Sequence, residues 1–164
     1  MTRYIKDIKP VNDFTILIDN QEKRPWDLLW DTKVQHLKVG DYTIEGYEDH
    51  IAIEKKSGLG ELLNDLAASY RPTFKRFLDK MSLHPIRCIV VEQVLSEENV
   101  RSAVEIVRKK SRGRSRLTTR TLWYWIGEIQ MNYGIPILFV SKRTRRLVLP
   151  ELFRAACEKA QEMR

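Results

Sequence analysis

Gly40-Asp41-Tyr42-Thr43-Ile44-Glu45, a polar turn over Gly46 to Asp49, then Ile51-Ala52-Ile53-Glu54-Lys55-Lys56: this run decides how the chain reads. Two short apolar stretches joined by a tight polar turn predict a β-hairpin. An aspartate opens the first strand, and Glu-x-Lys closes the second. Side chains on a strand alternate between faces, so Glu54 and Lys56 share one. Asp41 and Glu54 offer the hard oxygen ligands that magnesium prefers, while leaving room for its waters. Lys56 can then orient an attacking water or stabilise a pentavalent phosphate. A divalent metal held this way can hydrolyse phosphodiester bonds. The expected chemistry is that of a magnesium-dependent DNA nuclease, with Asp41 and Glu54 as metal ligands and Lys56 as a catalytic group.

Upstream, Phe14 to Ile18 reads as a strand ending in Asp19, followed by a polar turn from Asn20 to Pro25. Asp19 and Glu22 are expected to complete the acidic pocket, Asp19 as a further metal ligand. Pro25 suits the first turn of a short helix. Val34 to Val39 alternates apolar and polar residues, which predicts a half-buried strand. Short turns between these strands predict an antiparallel meander. Glu45, Glu48 and Asp49 read as solvated hairpin residues.

Downstream the period changes. Leu59, Leu62, Leu63, Leu66 and Ala67 recur at helical spacing, which predicts a helix over 60–69 capped by Ser57 or Gly58. Phe74, Phe77, Leu78 and Met81 mark a second helix. Ile86 to Glu92 is a short apolar run that predicts a buried parallel strand, with Cys88 as a core thiol. Glu92 reads either as a peripheral site residue or as a helix-capping carboxylate. Helices are expected over 97–108, over 122–133 and, opened by Pro150, over 151–163. Ile137 to Val140 predicts another buried strand. Of the aromatic cluster Trp123-Tyr124-Trp125, one tryptophan is expected in the core and the remainder on a dimer surface.

The 164 residues, 43% of them hydrophobic, allow one domain with a real core. A formal net charge of +7 favours a polyanionic partner. The densest positive stretch, 109–120, contains Lys109, Lys110, Arg112, Arg114, Arg116 and Arg120 and almost nothing to bury. It is expected to be a mobile loop that grips DNA phosphates, with Arg71, Lys75 and Arg76 extending the surface. Two isolated cysteines, Cys88 and Cys157, argue against a zinc site or disulfide framework. The opening Met1-Thr2-Arg3-Tyr4-Ile5-Lys6 has no apolar signal region, and no stretch has the length of a membrane span. Those features predict a cytoplasmic protein, nucleoid-associated in a bacterial host, with no membrane partner.

At these residues the chain resembles the nuclease domain of the XPF-type structure-specific endonucleases. That family carries a GDx(n)ERKx(3)D motif after an earlier strand ending in D-x-R-E. Asp19-Asn20-Gln21-Glu22 is similar to the first element, Gly40-Asp41-Tyr42 to the GD element and Glu54-Lys55-Lys56-Ser57 to the ERK element. Gly134 to Phe139 is similar to the family's last core strand. The resemblance implies an α/β fold, with a restriction-endonuclease-like mixed central sheet flanked by helices on both faces. It also implies cleavage of branched or flapped DNA with Mg2+ or Mn2+, and a homodimer. By the same resemblance Asp19, Asp41 and Glu54 hold or support the metal, Lys56 is catalytic, Glu22 assists and Lys55 contacts DNA. The chain departs from the motif at three places: Lys55 and Gln21 stand where the family has arginine, and Gly60 stands where it has an acid, with Glu61 next to it. A non-catalytic DNA- or partner-binding module of the same fold, and an RNA-directed protein, are the alternative readings.

Overall fold

A computed structural model describes residues 14–67 and 69–163. The expectation drawn from Met1 to Lys6 lies outside the described residues. Six strands form one sheet: β1 (Ile16–Asp19), β2 (Thr32–Gln35), β3 (Tyr42–Ile44), β4 (Ile51–Lys56), β5 (Ile86–Val91) and β6 (Ile137–Phe139). Five helices accompany them: α1 (Leu59–Asp65), α2 (Arg71–Ser82), α3 (Glu97–Lys110), α4 (Thr119–Asn132) and α5 (Lys142–Glu162). The spatial order of strands is β2-β1-β3-β4-β5-β6. β3 runs antiparallel to both β1 and β4, whereas β4, β5 and β6 are parallel to one another.

Strand periodicity divides the core in two. Ala52, Ile89, Val91 and Ile137 pack on one face with Leu62, Leu66, Leu78, Val104 and Ile129 from α1 to α4. Ile51, Ile53, Cys88 and Val90 point to the other face and pack with Phe153, Ala156 and Cys157 of α5. The central strands are thus apolar on both faces, and helices cover each side. The buried Cys88 thiol is pushed up to about 12 by desolvation, as fits an inert core residue.

The N-terminal half is not a simple meander. β2 pairs parallel to β1 at the sheet edge, and all four of its residues are exposed. The alternation over 34–39 does not make a half-buried strand, because β2 begins at Thr32 and ends before Leu37, the buried residue of that run. No helix follows Pro25. Trp26 instead anchors an irregular segment: it is buried, stacks on Tyr42 with centroids 4.3 Å apart, and donates its backbone N–H to the Tyr42 hydroxyl at 2.9 Å. Gly58 takes the cap position of α1.

Two helix boundaries also differ from expectation. Pro150 lies inside α5, which starts eight residues earlier. Ser141 and Thr144 form a reciprocal capping box there, with the Thr144 N–H donating to Ser141 Oγ at 3.0 Å, and the turn it nucleates continues through the proline. α3 runs through Lys110 and α4 begins at Thr119, so only 111–118 connects them. That connection is not a segment with nothing to bury: Leu117 is 4% exposed, and Ser111 and Ser115 accept backbone N–H bonds within it.

Candidate active site

The site begins with Gly40. Its φ is +76°, and a Cβ there would stand 2.9 Å from the Ile53 carbonyl oxygen. Only glycine tolerates both, and the turn it permits delivers Asp41 to the edge of β4. The Asp41 N–H donates to Ile53 O at 2.9 Å, and Asp41 Oδ2 accepts the Lys55 backbone N–H at 2.8 Å. Asp41 and Glu54 line one open cavity of about 800 Å3.

The rule of alternation holds at the end of β4. Glu54 and Lys56 face α1 and α2, with Lys56 Nζ 2.8 Å from Glu54 Oε1 and 5.7 Å from the Phe74 ring centroid. Lys55 turns to the α5 face, 5.9 Å from the Trp26 ring centroid. Lys56 is 7% exposed and does not line the cavity; it stands behind Glu54. Its second partner is Asp65 Oδ2, also at 2.8 Å and otherwise without a partner among the described residues. Asp65 was not singled out from sequence. It closes α1, nine positions after Lys56, and no strand or motif spacing connects the two. Gly60 supplies no carboxylate, and among the described residues nothing stands within 4 Å of where its Cβ would be. Glu61 lines the cavity, but its Oε2 is taken by the Ser57 N–H and hydroxyl, each at 2.7 Å.

Asp19 and Glu22 part company. Glu22 lines the cavity, accepts the Arg24 N–H at 2.6 Å and pairs with Lys55 Nζ at 3.3 Å. Asp19 does not line it. Its Oδ1 accepts the Leu37 N–H at 2.8 Å and its Oδ2 the Gln21 N–H at 3.1 Å. Both bonds fix the two loops beside β1. Lys55 lines the cavity with its charge already engaged. It is 7% exposed, and its ammonium is held by Glu22 and the Arg24 carbonyl. Glu92 is a cavity residue, not a helix cap; the α3 cap is Ser96. Glu92 Oε1 accepts the Trp26 indole N–H at 3.0 Å and pairs with Arg145.

Electrostatics single out the same two carboxyls. Burial pushes Asp41 up to about 6, against the lowering effect of the Lys55 N–H and Lys56, and Glu22 adds repulsion. Burial pushes Glu54 up to about 7, with Asp41 repelling it and Lys56 opposing the rise. Desolvation would lower the Lys56 ammonium, but the Glu54 and Asp65 carboxylates outweigh it and hold Lys56 above the usual lysine range. Two desolvated, mutually repelling carboxyls in an open cavity are a donor set that a hard dication would relieve. Among the described residues no group of three metal-ligating side chains is preassembled. That still fits magnesium, which takes one or two carboxylates and completes its shell with water and substrate oxygens.

The expected DNA contacts are scattered over a second region. Arg71, Arg114 and Arg116 line a separate cavity of about 670 Å3 with Ser111, Ser115 and Thr121. Arg71 is anchored, bonding Leu66 O through Nε and Nη2 and lying 5.9 Å from the Trp125 centroid. Lys109, Lys110, Arg112 and Arg120 are exposed, and Arg76 is exposed beside Thr73. Sequence reading missed the cations on the cavity itself. Lys142 and Arg145 line it from the first turn of α5, which went unread because the helix was expected to start at Pro150. The S-x-x-T spacing before a run of helix formers was the available signal.

No protein-family profile matches the sequence, and no curated protein sequence matches it. Solved structures do match. XPF from Aeropyrum pernix superposes with a TM-score of 0.61 at 18% identity, over 91% of this chain and 68% of that one. The chain has an XPF-type nuclease fold. XPF from the same organism in complex with DNA gives a TM-score of 0.61 at 17% identity, over 89% of this chain and 66% of the other, so the chain spans about two thirds of these structures' length. The mixed sheet with helices on both faces is the restriction-endonuclease-like architecture of XPF. Within this XPF-type fold the acidic cavity opens where β3 begins and β4 ends. No helix among the described residues is long and apolar enough to cross a membrane.

Proposed function

We propose that this chain is a metal-dependent DNA endonuclease acting on branched or flapped DNA. The observation that carries the reading is the pairing of Asp41 and Glu54 in one cavity, both raised by burial and backed by Lys56. Asp41 and Glu54 would hold Mg2+ or Mn2+, which when bound supplies Lewis-acid stabilisation of the phosphoryl oxygens and an activated water. Hydrolysis joins a water oxygen to phosphorus and breaks the bond to the leaving sugar oxygen. Lys56, clamped by Asp65, fixes the Glu54 carboxylate and adds positive charge behind it. The Glu22–Lys55 pair holds the 20–25 loop as the cavity wall. Arg71, Arg76 and the cations of 109–120 serve as outlying phosphate contacts. XPF solved in complex with DNA supports DNA as the partner.

A non-catalytic DNA-binding module is the second reading, favoured by the missing acid at Gly60. Incubating the pure chain with forked, flapped and linear DNA, with and without magnesium or manganese, separates the two. Cleavage that appears only with metal is expected. Binding without cutting under either metal would sustain the second reading, and preference for RNA in competition would overturn DNA as the substrate.

A homodimer is supported by Trp123 and Tyr124, 42% and 62% exposed on α4 while Trp125 is buried. Sedimentation of the pure chain should give twice the mass of 19.4 kDa, and Tyr124→Asp should shift it to monomer. A monomeric parent at high concentration would refute the dimer.

A further inference from the structure

An acidic cavity poses a problem for a nuclease. Five carboxylates line it, and each repels an approaching phosphodiester. Five cations line it too, but they are not equivalent. Lys55 is taken by Glu22, and Arg145 by Glu92. Lys23, Arg24 and Lys142 have no carboxylate partner among the described residues. They come from two parts of the chain, Lys23 and Arg24 from the connection between β1 and β2 and Lys142 from the first turn of α5. Arg146 lies four residues after Lys142, on the same helical face and equally unpaired. The Trp26–Glu92–Arg145 contacts tie the two parts together: the indole N–H comes from the first, the guanidinium from the second, and Glu92 from the end of β5 joins them.

We propose that Lys142 and Arg146 of α5, together with Lys23 of the β1–β2 connection, form a clamp for the DNA phosphates flanking the one held at the Asp41–Glu54 site. The inference rests on the endonuclease reading and adds to it a phosphate-binding surface at the site. The clamp sets where the strand enters: phosphates neighbouring the scissile one are attracted by the unpaired cations while the central one approaches the dication. Arg145 is a positioning residue, since its charge is spent on Glu92.

The test compares Lys142→Ala/Arg146→Ala with Arg154→Ala/Lys159→Ala. The second pair removes equal charge from the same helix, about 18 Å further along by helical rise, beyond the roughly 10 Å screening length at 0.1 M salt. Binding of a fluorescent DNA fork is measured in EDTA across a salt series. The clamp variant should bind about tenfold more weakly, with a salt slope shallower by roughly 1.8, the value for two lost phosphate contacts. The control should match the parent. With magnesium, KM should rise in the clamp variant while kcat stays within a few-fold, and Lys142→Arg should retain parental KM. Parental affinity and slope in the clamp variant, or an equal loss in the control, would overturn the clamp and leave the endonuclease reading intact. A parent that binds through the clamp but never cuts would overturn catalysis alone, and a parent that binds no DNA would overturn both.

Discussion

Asp41→Asn is expected to abolish cleavage and to stabilise the metal-free protein above about pH 7. The two effects share one cause. Asparagine keeps an acceptor for the Lys55 N–H, which Asp41 Oδ2 takes at 2.8 Å, so the turn after Gly40 survives. It removes a negative charge that burial and Glu22 disfavour. The sign follows from the direction of the shift. The folded protein holds the Asp41 proton more tightly than the unfolded chain does, with a value near 6 against 3.8. Between those values the native state binds more protons, so stability falls as pH rises. The penalty is absent below about pH 4 and complete above about pH 7. Glu54, raised from 4.5 to about 7, adds a parallel fall over a slightly higher window. Asp41→Asn should flatten the first fall and ease the second, because the Asp41 charge is one of the influences raising Glu54. Magnesium should stabilise the parent at about pH 8 by binding the ionised pair, and should do so far less in the variant. Cleavage should drop at least ~1000-fold, the scale of losing about 4 kcal/mol of transition-state stabilisation. Melting curves from about pH 4 to pH 8, with and without magnesium, read all of this. A variant that is less stable at about pH 8, or that cuts at the parental rate, would remove Asp41 from the site.

Lys56→Met should cost both stability and activity. The ammonium lies between Glu54 and Asp65, 2.8 Å from each, and is 7% exposed. Methionine fills a similar volume but leaves two carboxylates facing each other without a cation. Removing one member of a buried ionic cluster costs about 3–5 kcal/mol. For a chain of this size that corresponds to a fall in melting temperature of roughly 10 °C. Adding Asp65→Asn should recover part of the loss, since the repulsion then has only one charged partner. If Lys56→Met melts with the parent, or if the second substitution makes matters worse, the Glu54–Lys56–Asp65 cluster does not form in solution. Cleavage should be lost in the single variant and should not return in the double, because stability is restored without restoring the positive charge.

The hairpin was legible because its signals are local. Alternation at period 2 put Glu54 and Lys56 on one face, and the glycine before Asp41 marked the turn that φ +76° requires. Cys88 and the apolar run around it needed only composition to be placed in the core. The misreadings share a different character. Pro25 and Pro150 predict helix openings on the strength of one residue type each, but the buried Trp26 decides the first segment and the Ser141–Thr144 capping box the second. The stretch 109–120 looked unburied because of its charge, although Leu117 within it packs in the core and helices claim both ends.

By itself the sequence determined the strands β3 to β6, the apolar content of both sheet faces, and Asp41, Glu54 and Lys56 as a group, since backbone periodicity and turn chemistry act over a few residues. Only the tertiary structure decided that β2 lies parallel at the edge, that Asp19 serves the loops and Glu22 the cavity, that Asp65 backs Lys56, and that α5 brings Lys142 to the acidic pocket. Those pairings join residues up to about a hundred positions apart. Charges and hydrogen-bonding groups at such separations have no periodicity in common; they come together because helices pack on the sheet.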